Sequence, residues 1–302
     1  MRITQSMLAR VGLDSLNAQR NRLARTQEMA ATGLRINRPS DDPVDYRTVL
    51  YLKDSLDQSG RFLRSIELSR TRVRTTENAL DNAALAVARA KDKGLAARST
   101  TNQSSEARDA FKIEIEGIFD EILSAANARA PGGGYLFSGM SPDVAAFQST
   151  GTFGPGTTPT VVFTGEASVL EVEIDEGVYI DVTRSGVSAF QGANDVFATL
   201  GDLWTAIDQE NYTALDGIIT DLDAARDNLS LERAELGSAE AKADSFENRL
   251  QLQEQELAAQ ISFLEDADAF EVYSNLTKQE AALQASLQVT SRLLTPTLLD
   301  YV

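Results

Sequence analysis

The sequence contains no cysteine and no histidine. Without cysteine the chain can form no disulfide and offers neither a thiol nucleophile nor a thiolate metal ligand. Without histidine it lacks the commonest general base, so neither a Ser-His-Asp triad nor an imidazole metal site can be built. These absences remove the most familiar catalytic and metal-site chemistries. We therefore expect a protein that is not an enzyme, with no catalytic residues, no cofactor and no metal.

Long apolar runs are lacking too. No stretch approaches the roughly 18 apolar residues that a membrane-spanning helix needs. The first eight residues lack the apolar core of a cleaved secretory signal, so we expect any export to use another route. The formal net charge of -17 disfavours nucleic acid and membrane surfaces as partners.

Charge is distributed unevenly along the chain. Residues 1–100 carry 18 Lys/Arg and 11 Asp/Glu, whereas residues 201–302 carry 6 and 20. The two segments would attract each other if they pack side by side. The alternative is that both are solvated helix faces, and the sequence leaves the two interpretations open.

The strongest helical pattern lies at the C-terminal end, over residues 239–299. No proline interrupts it before Pro296. A 4-3-4-3 spacing gives the 3.5-residue period of a stripe that needs a partner helix. It is formed by Ala239, Ala243, Phe246, Leu250, Gln253, Leu257, Gln260 and Leu264. We expect one continuous helical rod, with Leu215, Ile218, Ile219 and Leu222 leading into it.

The N-terminal part predicts helices separated by a turn. A first helix ends near Gly33, and Ser40 or Asp41 is expected to cap the next, with Pro43 in its first turn. That second helix is expected to end near Ser59, because Gly60 is a weak point.

A regular heptad pattern follows this second helix. Ile66, Val73, Leu80, Val87 and Gly94 are each seven residues apart, with small residues at the alternate core position. A second stripe runs through 111–122 after a polar loop. The two predict an antiparallel helical hairpin.

Composition changes at Pro131. Twelve of the 19 glycines lie between Gly132 and Gly201, and short β-branched runs occupy 160–163, 169–174 and 178–182. They predict a β-rich insertion over residues 135–190. The Gly132–Gly134 turn lacks the Lys-Ser/Thr pair of a phosphate loop. The acidic runs 41–42 and 265–268 lack Ca²⁺-loop spacing, so we expect caps or solvated faces there.

The predicted fold class is therefore mainly α: an elongated helical bundle or coiled-coil rod of paired N- and C-terminal helices, with a small β-rich domain inserted in the middle. The predicted segments are an N-terminal assembly helix (1–34), the N-terminal part of the rod (35–134) and the outward-facing β-rich domain (135–190). The C-terminal part of the rod (191–264) and a C-terminal assembly helix (265–302) follow.

Both ends of the chain resemble the flagellin superfamily. The matching stretches are Gly33 to Pro43 and, near the C-terminus, Ser262–Asp268, Leu276–Glu280 and Gln284–Leu287. Arg38–Pro43, Gly134–Gly139 and the ending Leu298–Val302 are similar to the hook–filament junction proteins of that superfamily. One departure is Ser262-Phe263-Leu264, where such proteins often carry a more polar run.

The resemblance implies a structural subunit of the bacterial flagellum, exported through the flagellar type III channel. It implies a secreted protein at the hook–filament junction, where terminal coiled-coil helices build the inner tube. The implied partners are hook-associated protein 1 on the hook side, flagellin on the filament side, neighbouring copies in a ring and an export chaperone.

Terminal apolar residues are the candidate assembly residues, because chain ends usually fray unless something covers them. The candidates are Ile3, Met7, Leu8, Leu13, Leu16, Leu283, Leu287, Leu294, Leu298, Leu299 and Tyr301. We expect these stripes to lack a nearby partner in their own chain. A short flagellin and a coiled-coil adaptor that never polymerises remain alternative functions.

Overall fold

The computed structural model describes residues 5–99, 103–192 and 194–294. Seven helices and four short strands are found in these ranges, which confirms the prediction of a mainly α chain with a small β insertion. In chain order they are α1 (Gln5–Thr32), α2 (Pro43–Arg98), α3 (Ser105–Ala126), β1 (Phe147–Thr150), β2 (Thr160–Phe163), β3 (Glu171–Asp175), β4 (Val178–Asp181), α4 (Gly186–Phe190), α5 (Val196–Asp208), α6 (Leu215–Glu265) and α7 (Ala269–Leu294).

The chain forms two compact units. The terminal unit contains residues 1–58 and 252–302, and the inner unit contains residues 59–251. The long helices α2 and α6 each contribute one part to each unit. The predicted limits of the five segments remain predictions.

The inner unit holds the large hydrophobic core. Leu80 and Val87 of α2 have no exposed surface, and Ile115 and Ile122 of α3 are buried in the same cluster. The alternate core positions of the α2 heptads are buried small residues, namely Ser69, Thr76, Ala83 and Ala90. Small side chains at these positions let neighbouring helices approach closely.

Helices α2 and α3 form the predicted antiparallel hairpin. Arg89 pairs with Glu121, while Lys93, one turn later on α2, pairs with Glu114, earlier on α3. The hydroxyl of Ser104 accepts a hydrogen bond from the backbone N–H of Ala107, which caps the start of α3.

Ion pairs join α2 to α6 along the inner unit. Lys91 binds Asp223 at 2.7 Å, and Arg70 binds Asp244 at 2.6 Å. Further pairs between the two helices are Arg74–Glu240, Arg70–Glu247, Arg98–Asp216, Arg233–Glu77 and Arg233–Asp81. The two helices run antiparallel, because residues later in α2 pair with residues earlier in α6. Of the two interpretations of the charge asymmetry, mutual attraction is the one that these pairs support.

The β insertion consists of two separate antiparallel hairpins, β1–β2 and β3–β4. The predicted run 160–163 matches β2, and the other two runs match β3 and β4 within two residues. Strand β1 was not predicted, because Phe147-Gln148-Ser149-Thr150 contains no β-branched residue before Thr150.

Aromatic side chains pack the β1–β2 hairpin against the helices that follow it. The Phe147 ring lies 5.3–5.6 Å from the rings of Phe163, Phe190 and Phe197. These contacts connect β1 and β2 to α4 and α5, so the insertion shares the core of the inner unit.

Two predicted helix boundaries are wrong. Helix α2 runs through Gly60 without interruption for 56 residues. A glycine inside a helix costs only about 0.5–1 kcal/mol, which the burial of neighbouring Ser59 and Ile66 in packed faces can outweigh. The C-terminal rod, predicted as continuous, is interrupted after Glu265, where α6 ends, and α7 begins at Ala269.

Replacing Leu80 by alanine tests the inner core. Leu80 is fully buried, so we expect Leu80→Ala to lower the free energy of unfolding by roughly 2–5 kcal/mol, as other large-to-small core substitutions do. Denaturant unfolding followed by circular dichroism measures the change. Leu85→Ala, on the same helix but 57% exposed, is the matched control. Equal effects of the two substitutions would contradict the assignment of this core.

Candidate assembly surface

The first and last helices pack against each other in the terminal unit. Gly12 of α1 lies beside Thr290 of α7, and the hydroxyl of Thr26 donates to the side-chain oxygen of Gln279 at 2.9 Å. As the α1 number rises the α7 number falls, so the pair is antiparallel. The predicted pairing of the N- and C-terminal helices is confirmed, whereas the expectation that the terminal stripes lack a nearby partner in their own chain is wrong for this seam.

Helices α1 and α7 bury two hydroxyl groups between them, beside half-buried leucines. Thr26 is 3% exposed and Thr290 is 9% exposed, so hydroxyl groups occupy central positions of the contact. In the described part of the terminal unit the buried apolar residues are Ile36, Val49, Leu52 and Val272. Burial of apolar surface is the main source of stability, so this unit is much less stabilised internally than the inner one.

Large apolar side chains remain exposed on both helices of the pair. Met7 is 60% exposed, Leu13 50% and Leu287 49%, while Leu16 and Leu283 are half-buried. These five predicted assembly residues thus lie on two helices that contact each other. Ile3, Leu298, Leu299 and Tyr301 lie outside the described residues, and the side chains of Leu8 and Leu294 are not described.

Three exposed aromatic residues were not among the predicted assembly residues. Phe263 is 86% exposed, Phe270 85% and Tyr273 59%. Phe263 lies near the end of α6, and Phe270 and Tyr273 lie near the start of α7. The sequence did contain one signal, because Phe263 stands in the Ser262-Phe263-Leu264 departure from a more polar run.

The two interruptions of the long helices meet in space at one point, which we call the joint (residues 33–42 and 265–268). The Arg35 N–H donates to the Glu265 carbonyl at 2.6 Å, and the Ala267 N–H donates to the Gly33 carbonyl at 2.9 Å. Leu34 and Asp266 face each other across this short antiparallel bridge. Gly33 has φ +75°, a conformation that glycine adopts without steric cost.

The Arg35 side chain adds a second set of contacts across the joint. Its guanidinium donates to the Asp45 carboxylate at 2.7 Å and to the Leu264 carbonyl at 2.6 Å. A further pair forms with Asp42 at 3.6 Å. The hydrogen bond to Asp45 raises the pKa of Arg35, so this cation is charged at any working pH.

Acidic residues cap the helices that leave the joint, as the sequence predicted for the two acidic runs. The Asp268 carboxylate accepts from the N–H groups of Phe270 and Glu271, which caps α7. Asp42, rather than the predicted Ser40 or Asp41, caps α2 by accepting from Val44 and Asp45.

The remaining carboxylates of the joint have other partners. Asp41 accepts instead from the N–H groups of Asn37 and Arg38 and so stabilises the turn. Glu265 is 8% exposed and pairs with Lys53 at 2.7 Å. A buried carboxylate with this cation holds α2 against the end of α6.

The hydrogen bond from the Asp45 N–H, with that from Val44 and the charge of Arg35, lowers the pKa of Asp42. A carboxyl whose pKa is lowered in the folded state stabilises that state above its ordinary pKa. This contribution is lost as the pH falls through the lowered value. The cap of α2 is therefore intact at neutral pH and weakens only in acid.

No helix among the described residues is long and apolar enough to cross a membrane. Within the same residues, no group of three or more acidic side chains is placed to hold a metal ion. The feature that distinguishes this terminal unit is thus exposed apolar surface around a fixed joint.

Comparison with known sequences identifies the class of protein. The model of the bacterial flagellin N-terminal helical region matches residues 3–141, and that of the flagellin C-terminal helical region matches residues 219–302. Together they match most of the chain, including α1, most of α6 and α7. The chain belongs to the flagellin superfamily.

The individual relatives include both a hook-associated protein and a flagellin. The chain is 24% identical over 301 residues to flagellar hook-associated protein 3 of Salmonella typhimurium, covering 95% of each chain. It is also 24% identical over 298 residues to flagellin of Bacillus subtilis, covering 95% of this chain and 94% of the relative. A crystal structure of the flagellar junction protein of Legionella pneumophila matches its fold with a TM-score of 0.60 at 11% identity, covering 72% of this chain and all of the other.

Replacing Arg35 by alanine tests the joint. We expect Arg35→Ala to loosen the α1–α7 pair, because it removes the contacts with Asp45 and the Leu264 carbonyl while leaving the inner core unchanged. Limited trypsin digestion, with fragments identified by mass spectrometry, then gives faster cleavage at Arg20, Arg22 and Arg25 than in the unsubstituted protein. Cleavage at an unchanged rate would show that the side chain does not hold the joint.

The matched control for this experiment is Arg47→Ala. Arg47 is an exposed arginine on the first turns of α2, and its substitution is expected to leave the three cleavage rates unchanged. Faster cleavage in both variants would indicate a general effect of lost positive charge.

Proposed function

We propose that this protein is a structural subunit of the bacterial flagellum that serves as the junction adaptor between hook and filament, the role of a hook-associated protein 3. The observation that carries the proposal is the exposed apolar surface of the terminal unit. Its two end helices pack together, yet they expose Met7, Leu13 and Leu287. It is secreted through the flagellar export channel and lies outside the cell at the hook–filament junction.

An assembled subunit accounts for this exposure. An amphipathic helix gains most of its stability by burying its apolar face against neighbours. The α1–α7 pair buries one face of each helix, and the apolar residues on the other faces need a partner outside the unit. Neighbouring copies in a ring supply it, so that terminal helices from several subunits form a common core.

The glycines of the Gly134–Gly139 motif have a steric explanation in the local structure. Gly134 and Gly139 have φ +82° and +65°. A Cβ on Gly139 would lie 2.1 Å from the carbonyl oxygen of Glu166, and one on Gly134 would lie 2.8 Å from the Cβ of Pro142. Only glycine fits at either position, so this junction-type motif is a structural requirement of the turn that leads into the β insertion.

The proposed partners are those that the resemblance implies. Hook-associated protein 1 contacts the ring on the hook side, flagellin contacts it on the filament side, and an export chaperone binds the subunit before export. Because flagellin of Bacillus subtilis is as similar in sequence as the Salmonella protein, overall identity does not separate junction protein from filament subunit. The motifs Arg38–Pro43 and Leu298–Val302 favour the junction role.

A coiled-coil adaptor that does not polymerise is the second candidate. The intramolecular packing of α1 on α7 favours it, because an adaptor closes its helices within one chain. The exposure of Phe263 and Phe270 opposes it, since a closed monomer gains nothing from two phenylalanines that are about 85% exposed.

Labelling on isolated flagella tests the proposal. Antibody against the β insertion, with gold detection in electron microscopy, is expected to mark one point between hook and filament. Label along the filament would show a flagellin. Absence of label from flagella that carry both hook and filament would favour the soluble adaptor.

A comparison of two leucines separates assembly from folding. Leu287 is 49% exposed, so we expect Leu287→Ala to melt like the unsubstituted protein yet to impair filament attachment, because its burial is intermolecular. Leu80→Ala is the opposite case, since it melts early through loss of core packing. Thermal melts and a count of attached filaments provide the two measurements. Early melting of Leu287→Ala would place that side chain in the core of its own subunit.

A further inference from the structure

The terminal unit contains an open groove between α2 and α6. It has a volume of about 460 Å³ and is lined by Thr48 and Leu52 of α2 and by residues of α6 from Glu256 to Leu264. Phe263 forms one wall and is 86% exposed. No contact of the described residues covers this groove.

Both walls of the groove continue as helical stripes. On α6, Leu252, Glu256, Ala259 and Phe263 are exposed and follow a 4-3-4 spacing. On α2, Val44, Thr48 and Tyr51 are exposed at 4-3 spacing. A 4-3-4 spacing places residues on one face of a helix, where they can pack against another helix. Two such stripes on either side of one groove form a seat for a third helix.

Helix α1 carries an exposed stripe of the same period. Met7, Val11, Asp14 and Ala18 follow the 4-3-4 spacing and are all exposed. The face of α1 that contacts α7 contains Gly12 and Thr26, which lie elsewhere on the helix. The stripe from Met7 to Ala18 is therefore open while α1 is paired with α7.

Charge distinguishes α1 from the other candidate, α7. The groove segments 43–58 and 252–265 contain six Asp/Glu and two Lys/Arg, and one of those two cations, Lys53, already binds Glu265. Helix α1 contains four arginines and two acidic residues, whereas α7 contains two of each sign. Glu256 is the acidic residue of the groove lining, and the net acidic segments around it fit the basic helix better.

We propose that the groove is the socket for helix α1 of a second copy of this chain. This inference rests on the proposed function and adds to it the surface through which copies contact each other. The contact is heterologous, because the groove of one copy holds a helix of the next. Such contacts repeat from copy to copy and can close a ring. In this contact Met7 and Val11 lie against Phe263, and Arg10 lies near Glu256.

The absence of cysteine allows a direct test. Full-length Val11→Cys and Phe263→Cys proteins are mixed in equal amounts and oxidised, and the disulfide-linked products are identified by mass spectrometry. We expect the mixed dimer between the two variants to predominate. Both positions are exposed, at 64% and 86%, and circular dichroism confirms that each variant folds.

Tyr273→Cys is the matched control for the helix. Tyr273 is 59% exposed and lies on α7 of the same unit. We expect its mixed dimer with Phe263→Cys to form roughly tenfold less, equivalent to about 1.4 kcal/mol of contact free energy. A preference of Phe263→Cys for Tyr273→Cys, or for a second Phe263→Cys chain, would overturn the proposal. A disulfide within a single Val11→Cys/Phe263→Cys chain would overturn it as well.

Charge reversal adds a second readout. Glu256→Arg in the Phe263→Cys chain is expected to lower the yield of mixed dimer roughly threefold, within the range of an exposed ion pair. Arg10→Glu in the Val11→Cys chain is expected to restore it. Failure of both changes to alter the yield would contradict the electrostatic part of the socket.

The gold-labelling experiment keeps the two proposals separate. Label at the junction without the mixed dimer leaves the function standing and removes the socket. The mixed dimer with label along the filament keeps the socket and removes the junction role.

Discussion

The antiparallel pairing of α2 with α6 is the interaction on which the rest of the structure depends. The two helices come from opposite halves of the sequence, and the β insertion between them shares the core that they form. Heptad positions of α2 bury Leu80 and Val87, and ion pairs such as Lys91–Asp223 align the two helices. Exposed ion pairs contribute little free energy each. Their value here is to fix one alignment among those that a repeating heptad would tolerate.

The terminal unit depends on a different constraint, since it has too little core to be self-sufficient. Its stability comes from the joint around Arg35, Asp42 and Glu265 and from a seam in which Thr26 and Thr290 take central positions. The packing of α1 on α7 leaves Met7, Leu13 and Leu287 exposed and so free for intermolecular contacts. We infer that the unit is built to be completed by neighbouring copies.

Much of the fold follows from periodicity in the sequence. The heptads of α2, the stripe of α3 and the strands β2 to β4 were predictable because each repeats a local pattern that one burial environment explains. Helix ends were harder to predict. Gly60 could have ended α2, and the run 239–299 showed no break at 265–268. Only the packing of distant segments decides that α2 continues while α6 stops.

The candidate site was predictable in part. Of the apolar residues near the chain ends, Met7, Leu13 and Leu287 are exposed on two helices in contact, and their role in assembly stays a prediction. The pairing of the N- and C-terminal helices was part of the predicted rod, but the position of Gly12, Thr26 and Thr290 in the seam was not predicted. The groove beside Phe263 could not be predicted from the sequence, because it depends on which face of α6 the distant helix α2 covers.

The joint has a mechanical consequence. A module attached through a single linker can swivel about it, because rotation about single bonds meets little resistance. Here the α1–α7 pair is attached through two chain segments, which are tied together by the hydrogen bonds between residues 33–35 and 265–267. Turning the pair about its axis would twist one segment around the other and break those bonds. The joint therefore restrains rotation of the α1–α7 pair about its own axis relative to the segments of α2 and α6 in the same unit.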